Sequence, residues 1–217
     1  MVLLAAGATV DQATNDGATP LLFVACLEGY TEIASVLLDE GGANPNQADQ
    51  YGQTPLYVAC QYGHTETARV LLEGGATVDQ ATNNGRTPLC IACKYGQTKT
   101  ASVLLDEGGA TVDQADKDGA TPLYVASKNG RKNTDIVRVL LAARADPNQA
   151  DKDGATPLYV ACKNGHADIV GVLLEGGADP NQATKDGTTP LSIAKRYNRG
   201  FVNRDMCVAR LRKAGAH

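Results

Sequence analysis

The chain has 217 residues, of which 43% are hydrophobic and 5% aromatic, and its formal net charge at pH 7 is −4. This composition suits a core of Leu, Val, Ile and Ala, and the length alone would fit one or two globular domains. No run of about 18 apolar residues occurs, so we expect no membrane span. The first residues lack both a basic region and a long apolar segment, which argues against a signal peptide.

The motif Gly-x-Thr-Pro-Leu occurs six times along the chain. Successive copies are 33 to 35 residues apart, and their threonines are Thr19, Thr54, Thr87, Thr121, Thr156 and Thr189. A period of about 33 residues indicates a repeat architecture, in which each unit stacks on its neighbours because it cannot bury its own apolar face. The periodicity therefore predicts one elongated array of repeats.

The fifth copy shows why each repeat should form a pair of helices. Thr156 is placed to cap a first helix, Pro157 occupies its first position, and Gly165 ends it. Apolar residues then fall at helical spacing on one face of each helix: Leu158, Ala161 and Cys162 on the first, and Ile169, Val170, Leu173 and Leu174 on the second. Gly176 and Gly177 end the second helix.

Residues 154–181 of this copy resemble the ankyrin repeat, and the same pattern recurs in register along the chain. The resemblance implies an all-α repeat solenoid of helix-turn-helix pairs joined by β-hairpin-type loops. We expect a single domain over residues 1–217, with a partial repeat at 1–9, five full repeats over 10–186 and a C-terminal capping repeat at 187–217. Tyr57, Tyr124 and Tyr159 replace a histidine of the family motif, so the hydrogen bonds of that histidine cannot be transferred.

Two stretches depart from the regular pattern. The chain begins inside a repeat, which predicts a fragment of a longer array or an end that packs against another surface; we favour a fragment. In the first helix of the first repeat, the spacing from Thr19 to Cys26 is one residue longer than the equivalent spacing from Thr54 to Cys60. One inserted residue rotates later side chains by about 100° unless a bulge absorbs it. We therefore expect a local distortion there.

The resemblance implies that a protein partner meets the hairpin tips and the exposed side of the first helices. Transferred position by position, it predicts the contact residues Tyr51, Gln53, Gln61, Tyr62, Arg86, Lys94, Tyr95, Lys128, Asn129, Lys163 and Asn164. Tyr62 and Tyr95 share one repeat position, so we expect them to be neighbours with Arg86 close by. Tyrosine and arginine frequently anchor interfaces. The alternative is that these tyrosines are ordinary surface residues with half-covered rings.

Two basic stretches have alternative interpretations. The fourth repeat carries a two-residue insertion between its helices, over 130–136, which we interpret as a projecting surface loop. From Gly187 onwards there are seven Lys and Arg residues and one acid, Asp205. Such an end could contact nucleic acid or an anionic surface, but we favour a solvated cap. Lys195 stands where other repeats have Cys or Ser, which predicts that no further repeat packs there.

The six cysteines are predicted to be small buried side chains. Four of them occupy one repeat position, and equivalent atoms of adjacent repeats should lie about 10 Å apart, too far for a disulfide. We therefore expect free thiols and a reducing compartment, the cytoplasm, with the nucleus left open. Cys90 and Cys93 have Cys-x-x-Cys spacing but lack two further ligands nearby in sequence, so no metal and no cofactor is predicted.

Catalysis has no support in the sequence, because no convergent acid–base pair or phosphate-binding loop is evident. The predicted function is a non-catalytic protein–protein interaction module whose partner is unidentified. Alternatives are a structural or regulatory segment of a larger protein, an engineered array, or a binder of an anionic ligand through the basic cap. Nucleic acid and membrane are not expected as partners, and self-association through an uncapped N-terminal end is left open.

Overall fold

A computed structural model describes residues 20–130, 133–196 and 202–217, and side chains from Leu21 with the exception of 202–204. The described residues form twelve α-helices and no strand. In chain order, α1 to α12 are Pro20–Glu28, Thr31–Asp39, Pro55–Tyr62, Thr65–Glu73, Pro88–Tyr95, Thr98–Asp106, Pro122–Asn129, Thr134–Ala142, Pro157–Asn164, Ala167–Glu175, Pro190–Arg196 and Val202–Lys213. The predicted partial repeat at 1–9 lies outside the described residues.

The helices form two compact units, residues 1–92 with 99–111 and residues 93–98 with 112–217. In the first unit, α1 packs on α3 and α2 packs on α4. In the second unit the first helices α7, α9 and α11 pack in succession, as do the second helices α8, α10 and α12. This stacking of consecutive helix pairs is the all-α repeat solenoid that the periodicity predicts. The single-domain boundaries remain a prediction.

The start and end of each first helix follow from the repeated motif. The Thr156 hydroxyl accepts a hydrogen bond from the backbone N–H of Tyr159 at 3.1 Å, and Pro157 occupies the first turn. Thr54 and Thr121 cap their helices in the same way. Gly165 ends α9 in the left-handed conformation at φ 73°. The predicted helix signals are therefore confirmed.

The core is formed by the apolar face of each helix. Leu158, Ala161 and Cys162 of α9 are fully buried, and so are Val170 and Leu173 of α10. Ile169 is also buried, while Leu174 is half-buried. None of the six cysteines forms a disulfide and all six are buried, and burial raises the pKa of the Cys26 thiol to about 12. These thiols therefore act as small apolar side chains of the core.

In the part of the chain that the structure describes, Ser127 carries the one buried side-chain oxygen or nitrogen without a hydrogen-bond partner.

The hairpin-type loops close with backbone hydrogen bonds and connect neighbouring repeats. In the fifth repeat, Asp151 N–H donates to Ala155 O and Gly154 N–H donates to Asp151 O, both at 3.0 Å. The tip then accepts a bond from the next loop, because Lys185 N–H donates to Asp153 O at 3.0 Å. Lys152 N–H makes the equivalent bond to the preceding loop, and Asn83 N–H makes it to Tyr51 O in the first unit. The tips therefore form short ladders between repeats.

The expected distortion of α1 is not found. The helix runs without interruption over nine residues, and Leu22, Ala25 and Cys26 are buried at the spacing of Leu56, Ala59 and Cys60. Leu21 is instead exposed. The extra residue is therefore accommodated before Leu22, where it does not rotate the core side chains.

The interpretation of the fourth-repeat insertion as a surface loop is wrong for Asn133. Arg131 and Lys132 lie outside the described residues, but Asn133 is 2% exposed. Its amide Nδ2 donates to Cys93 O at 2.8 Å and to Ala126 O at 3.3 Å. The loop brings this amide inward because two carbonyl groups there accept its hydrogen bonds.

The last helix pair, α11 and α12, exposes charged side chains at the end of α11; that it is a capping repeat remains a prediction. Lys195 and Arg196 at the end of α11 are exposed, whereas Cys207 and Leu211 of α12 are fully buried. Arg210 of α12 forms an ion pair with Asp168 of α10 at 3.4 Å. The last helix therefore packs on α10 through its apolar side and through this ion pair.

A side-chain ladder joins the loops that follow the second helices. Asn148 accepts from Asp179 N–H at 2.7 Å and donates to Gly177 O at 3.2 Å, so its amide makes two bonds to the next repeat. Asp113, at the same repeat position, accepts from Asp146 N–H at 3.1 Å. A carboxylate has no proton to donate to the carbonyl of Arg144, which corresponds to Gly177. Aspartate is therefore the weaker choice at this position.

The substitution Asp113→Asn should raise the free energy of unfolding by about 1 kcal/mol at neutral pH, because the amide adds a donor. Burial raises the pKa of Asp113, and the charge of Asp146 raises it further. A raised folded-state pKa favours folding below the unfolded pKa of about 4 and disfavours it as the pH rises. The advantage of asparagine should therefore grow from acidic to neutral pH in urea titrations.

The reverse substitution, Asn148→Asp, is the matched control. It removes the bond to Gly177 O and places a carboxylate beside Asp179, so stability should fall by about 1 kcal/mol. Equal stability of both variants and the parent at neutral pH would contradict this account of the ladder.

Candidate partner-binding surface

The predicted contact residues of the first unit lie at a hairpin tip and at a helix end. Tyr51 is exposed at the tip, where the Asp49 carboxylate accepts hydrogen bonds from the N–H groups of Tyr51 and Gln53 at 2.9 and 2.8 Å. Gln53 is half-buried just before Thr54, the cap of α3. The side chain of Tyr51 is therefore presented outward from a fixed backbone.

The C-terminal end of α3 carries Gln61 and Tyr62. Gln61 is half-buried, whereas Tyr62 is half-exposed and its ring stacks on that of His64 at 6.2 Å between centroids. His64 Nε2 lies 3.0 Å from Leu27 O of the preceding repeat, a structural bond. Arg86 is half-buried at the end of the next hairpin, where its backbone N–H donates to Thr82 Oγ1 at 3.2 Å. Tyr62 is thus half-exposed beside a histidine that bonds to the preceding repeat.

In the second unit, the predicted residues continue along α5, α7 and α9. Lys94, Tyr95, Lys128, Asn129, Lys163 and Asn164 are all exposed. The Lys94 ammonium lies 5.2 Å from the centroid of the Tyr95 ring, a cation–π distance. The proximity of Tyr62 and Arg86 to Tyr95 remains a prediction.

The two asparagines already have structural roles. Asn129 Nδ2 donates to Lys94 O at 3.0 Å, and Asn164 Nδ2 donates to Lys128 O at 3.0 Å. His166 Nε2 also lies 3.1 Å from Lys128 O, and burial lowers the pKa of His166, so the ring stays neutral near pH 7 and donates. The side-chain amides of Asn129 and Asn164 therefore connect successive first helices.

The second unit contains a cavity of about 350 Å³ between hairpin tips and first helices. It is lined by Tyr124, Asp151, Asp153, Ala155, Tyr159, Val160, Lys163, Thr184, Lys185 and Asp186. Lys163 is the one residue of the predicted contact set that lines it. Phenol, carboxylate, ammonium and aliphatic groups thus surround one opening, which suits a polypeptide segment of mixed polarity.

Tyr124 anchors one wall of this cavity. Its hydroxyl faces the Asp151 carboxylate of the next hairpin. Burial is the main cause that raises the pKa of Tyr124, followed by the interaction with Asp151 and the other nearby carboxylates. Tyr124 therefore stays protonated. Asp151 accepts hydrogen bonds from Asp153 N–H and Ala155 N–H at 2.9 and 2.8 Å.

The carboxylate of Asp186 is held by hydrogen bonds within its own hairpin. It accepts hydrogen bonds from the Thr184 hydroxyl and from Thr188 N–H, and these bonds lower the pKa of Asp186. Two of the three carboxylates that line the cavity are therefore fixed by their own loops, whereas Asp153 and Lys185 lie exposed at the rim.

Sequence reasoning missed most of this cavity. Tyr124 and Tyr159 share the repeat position of Tyr57, which is buried at 4% exposure, whereas the other two are half-buried. The sequence signal that could have revealed the cavity is tyrosine at that repeat position together with Asp151 and Lys185 at adjacent hairpin tips.

Groups of three or more His, Cys, Asp or Glu arranged to hold a metal ion are absent from the described residues. Among the same residues, no helix is long and apolar enough to cross a membrane.

A family model described as "Ankyrin repeats (3 copies)" matches residues 1–81, 75–151 and 131–216. The chain therefore belongs to the ankyrin repeat family, whose members generally mediate protein–protein interactions and are typically not enzymes.

Three similar proteins share shorter segments with this chain. Ankyrin repeat-containing protein P1E11.10 of Schizosaccharomyces pombe is 38% identical over 55 residues, 25% of this chain and 26% of that protein. E3 ubiquitin-protein ligase XBAT33 of Arabidopsis thaliana and the probable E3 ubiquitin-protein ligase XBOS32 of Oryza sativa subsp. japonica are each 42% identical over 60 residues. These 60 residues are 28% of this chain and 12% of each ligase. The matches thus cover about a quarter or less of each relative.

Proposed function

We propose that this ankyrin-repeat chain binds a protein partner without catalysing a reaction, and that the partner contacts the hairpin tips and first helices. Family membership supports protein binding in general. The location of the contact rests on the exposed side chains at these positions and on the cavity beside them. The ligase activity named for two relatives is not part of the proposal, because the matched segments are 12% of those proteins.

The single observation that carries the proposal is the cavity of about 350 Å³ in the second unit. Its two phenol groups belong to Tyr124 and Tyr159, which lie on the first helices α7 and α9, and the Tyr124 hydroxyl faces the Asp151 carboxylate. Rigid aromatic groups lose little entropy when a partner binds, and tyrosine is enriched among the residues that dominate binding energy. Lys163 and Lys185 add charged groups at the rim.

Affinity capture from cell lysate, followed by mass spectrometry, tests the proposal with three variants. The cavity variant carries Lys163→Ala and Lys185→Ala; the second carries Tyr62→Ala, Arg86→Ala and Tyr95→Ala. The control carries Glu73→Ala and Arg138→Ala, which alter exposed positions of the second helices. Circular dichroism checks that each variant is folded. We expect a partner that the parent and the control capture and that the cavity variant loses.

The triple tyrosine–arginine variant shows how far the contact extends. Loss of the partner in this variant as well would extend the surface to the residues predicted from the sequence. Equal capture by the parent and both test variants would overturn the proposed surface. Loss in the control alone would move the contact to the second helices.

We also propose a reducing compartment, the cytoplasm or the nucleus, for this chain. None of the six cysteines is in a disulfide in the folded protein, and a reducing environment keeps thiols in that state.

A further inference from the structure

The cavity of the second unit has a wall and a rim that differ in burial. We call its buried and half-buried lining residues the wall: Tyr124, Asp151, Ala155, Tyr159, Val160 and Thr184. We call its exposed lining residues the rim: Asp153, Lys163, Lys185 and Asp186. The carboxylates and ammonium groups of the rim cancel in formal charge, whereas the wall retains one charged group, the Asp151 carboxylate.

The carboxylates near Tyr124 make the wall electronegative. Burial is the largest cause that raises the pKa of Tyr124, and Asp151, Asp153 and Asp116 raise it further through their charges. Asp116 is only 8% exposed, so water screens its charge weakly. A positive charge placed beside Tyr124 would therefore be stabilised, and a negative charge would be repelled.

Asp151 is held in place before any partner binds. Its Oδ1 accepts hydrogen bonds from Asp153 N–H at 2.9 Å and from Ala155 N–H at 2.8 Å. Both bonds use the same oxygen, so Oδ2 keeps the capacity to accept from another donor. A half-buried carboxylate of this kind gains most from a donor that also carries a positive charge.

The wall places a phenol beside a carboxylate, which the corresponding positions of other repeats do not. Tyr124 follows the capping Thr121 on α7, and Asp151 lies in the hairpin of the next repeat. The corresponding pairs elsewhere are Tyr57 with Thr82, Cys90 with Asp116, and Tyr159 with Thr184. The combination is therefore specific to this cavity and is not a general property of the repeat motif.

We propose that the wall of this cavity binds a cationic side chain, arginine or lysine, of the partner protein; the proposal rests on the protein-binding function proposed above. The cationic group would donate to Asp151 Oδ2 and lie against a phenol ring, since such rings attract cations at their faces. The cavity of about 350 Å³ is large enough for one long side chain. The lysines of the rim would donate to main-chain carbonyl groups of the partner on either side of it.

Side chains of other chemistry fit this wall less well. A carboxylate of the partner would lie beside Asp151 and be repelled. An apolar side chain would remove water from Asp151 without replacing its hydrogen bonds, which costs free energy. The lysines of the rim do not reverse this preference, because the rim carboxylates balance their charge and water screens exposed groups.

Binding of short peptide pools to the full chain, measured by biolayer interferometry, tests the proposal. Each pool has random flanks and one fixed central residue: arginine, lysine, citrulline, glutamate or leucine. Citrulline matches arginine in shape but carries no charge. We expect the arginine and lysine pools to bind on the order of tenfold more tightly than the citrulline pool, the effect of one charge-assisted hydrogen bond. The tighter of the two identifies the preferred cation.

Three variants, each checked for folding by circular dichroism, separate this inference from the proposed function. Asp151→Asn keeps an oxygen for the two backbone bonds but removes the charge, so it should abolish the preference for the cationic pools. Asp49→Asn is the matched control and should keep the preference, because Asp49 Oδ1 accepts the equivalent pair of bonds in its own hairpin and does not line the cavity. The double variant Lys163→Ala, Lys185→Ala should weaken the binding of all pools alike.

Equal binding of the arginine and citrulline pools, tightest binding of the glutamate or leucine pool, or an unchanged preference in Asp151→Asn would overturn the inference. So would the absence of binding by every pool. The proposed function is judged separately by the capture from lysate. A partner that the double lysine variant loses supports that function even when the pools show no preference for a cation.

Discussion

The substitution Gly154→Ala should lower the free energy of unfolding by about 3 kcal/mol. Gly154 has φ 82°, a conformation that costs an L-residue about 1 to 2 kcal/mol. An added Cβ would also lie 2.9 Å from the backbone N of Lys185 and 3.2 Å from Cα of Thr184. Because backbone atoms cannot rotate away, the two hairpins must separate and weaken the bond from Lys185 N–H to Asp153 O.

Gly187 provides the matched control in the next hairpin. Its φ is 80°, yet an added Cβ would meet no atom within 4 Å. Gly187→Ala should therefore cost only the conformational part, about 1 to 2 kcal/mol. Urea unfolding of both variants measures the difference. Equal losses would show that the close approach of the hairpins does not constrain residue 154.

The substitution Asn133→Ala should destabilise the protein by about 2 to 3 kcal/mol. The side chain is buried, and its amide is the donor to Cys93 O and Ala126 O. Alanine leaves both carbonyls without this donor in an interior that water does not readily enter. Thermal and urea unfolding should both show the loss.

Asn129→Ala is the control within the same repeat. Asn129 is exposed and makes one bond, from Nδ2 to Lys94 O at 3.0 Å, so water can replace it. Its loss should cost about 0.5 kcal/mol. If Asn133→Ala were equally mild, the inward amide would be dispensable and the insertion would behave as the surface loop expected from the sequence.

The repeated elements could be predicted because their signals are local. Thr156, Pro157 and Gly165 define the ends of α9 by capping and by backbone conformation, whatever packs outside. Burial of Leu158 and Cys162 followed from helical spacing in the same way. These inferences hold because each repeat presents the same chemistry to nearly the same neighbours.

The candidate surface was harder to predict, since it depends on contacts between repeats. Tyr57, Tyr124 and Tyr159 have the same local sequence, but one is buried and two line a cavity. Tyr124 faces the carboxylate of Asp151, a residue that belongs to a different repeat. Asn133 was missed for a related reason, because a polar residue in an inserted loop gives no sign of the buried carbonyls that it meets.

The burial of cysteines has a consequence for observing the motions of this molecule. Thiols lie in α1, α3, α5, α9 and α12, and all of them are shielded from solvent. A buried thiol reacts with a labelling reagent only when the surrounding helices separate. In a chain of stacked repeats, separation can occur locally and with a different free energy at each place. The native cysteines are thus a set of internal reporters, and their individual labelling rates would reveal which repeats open first.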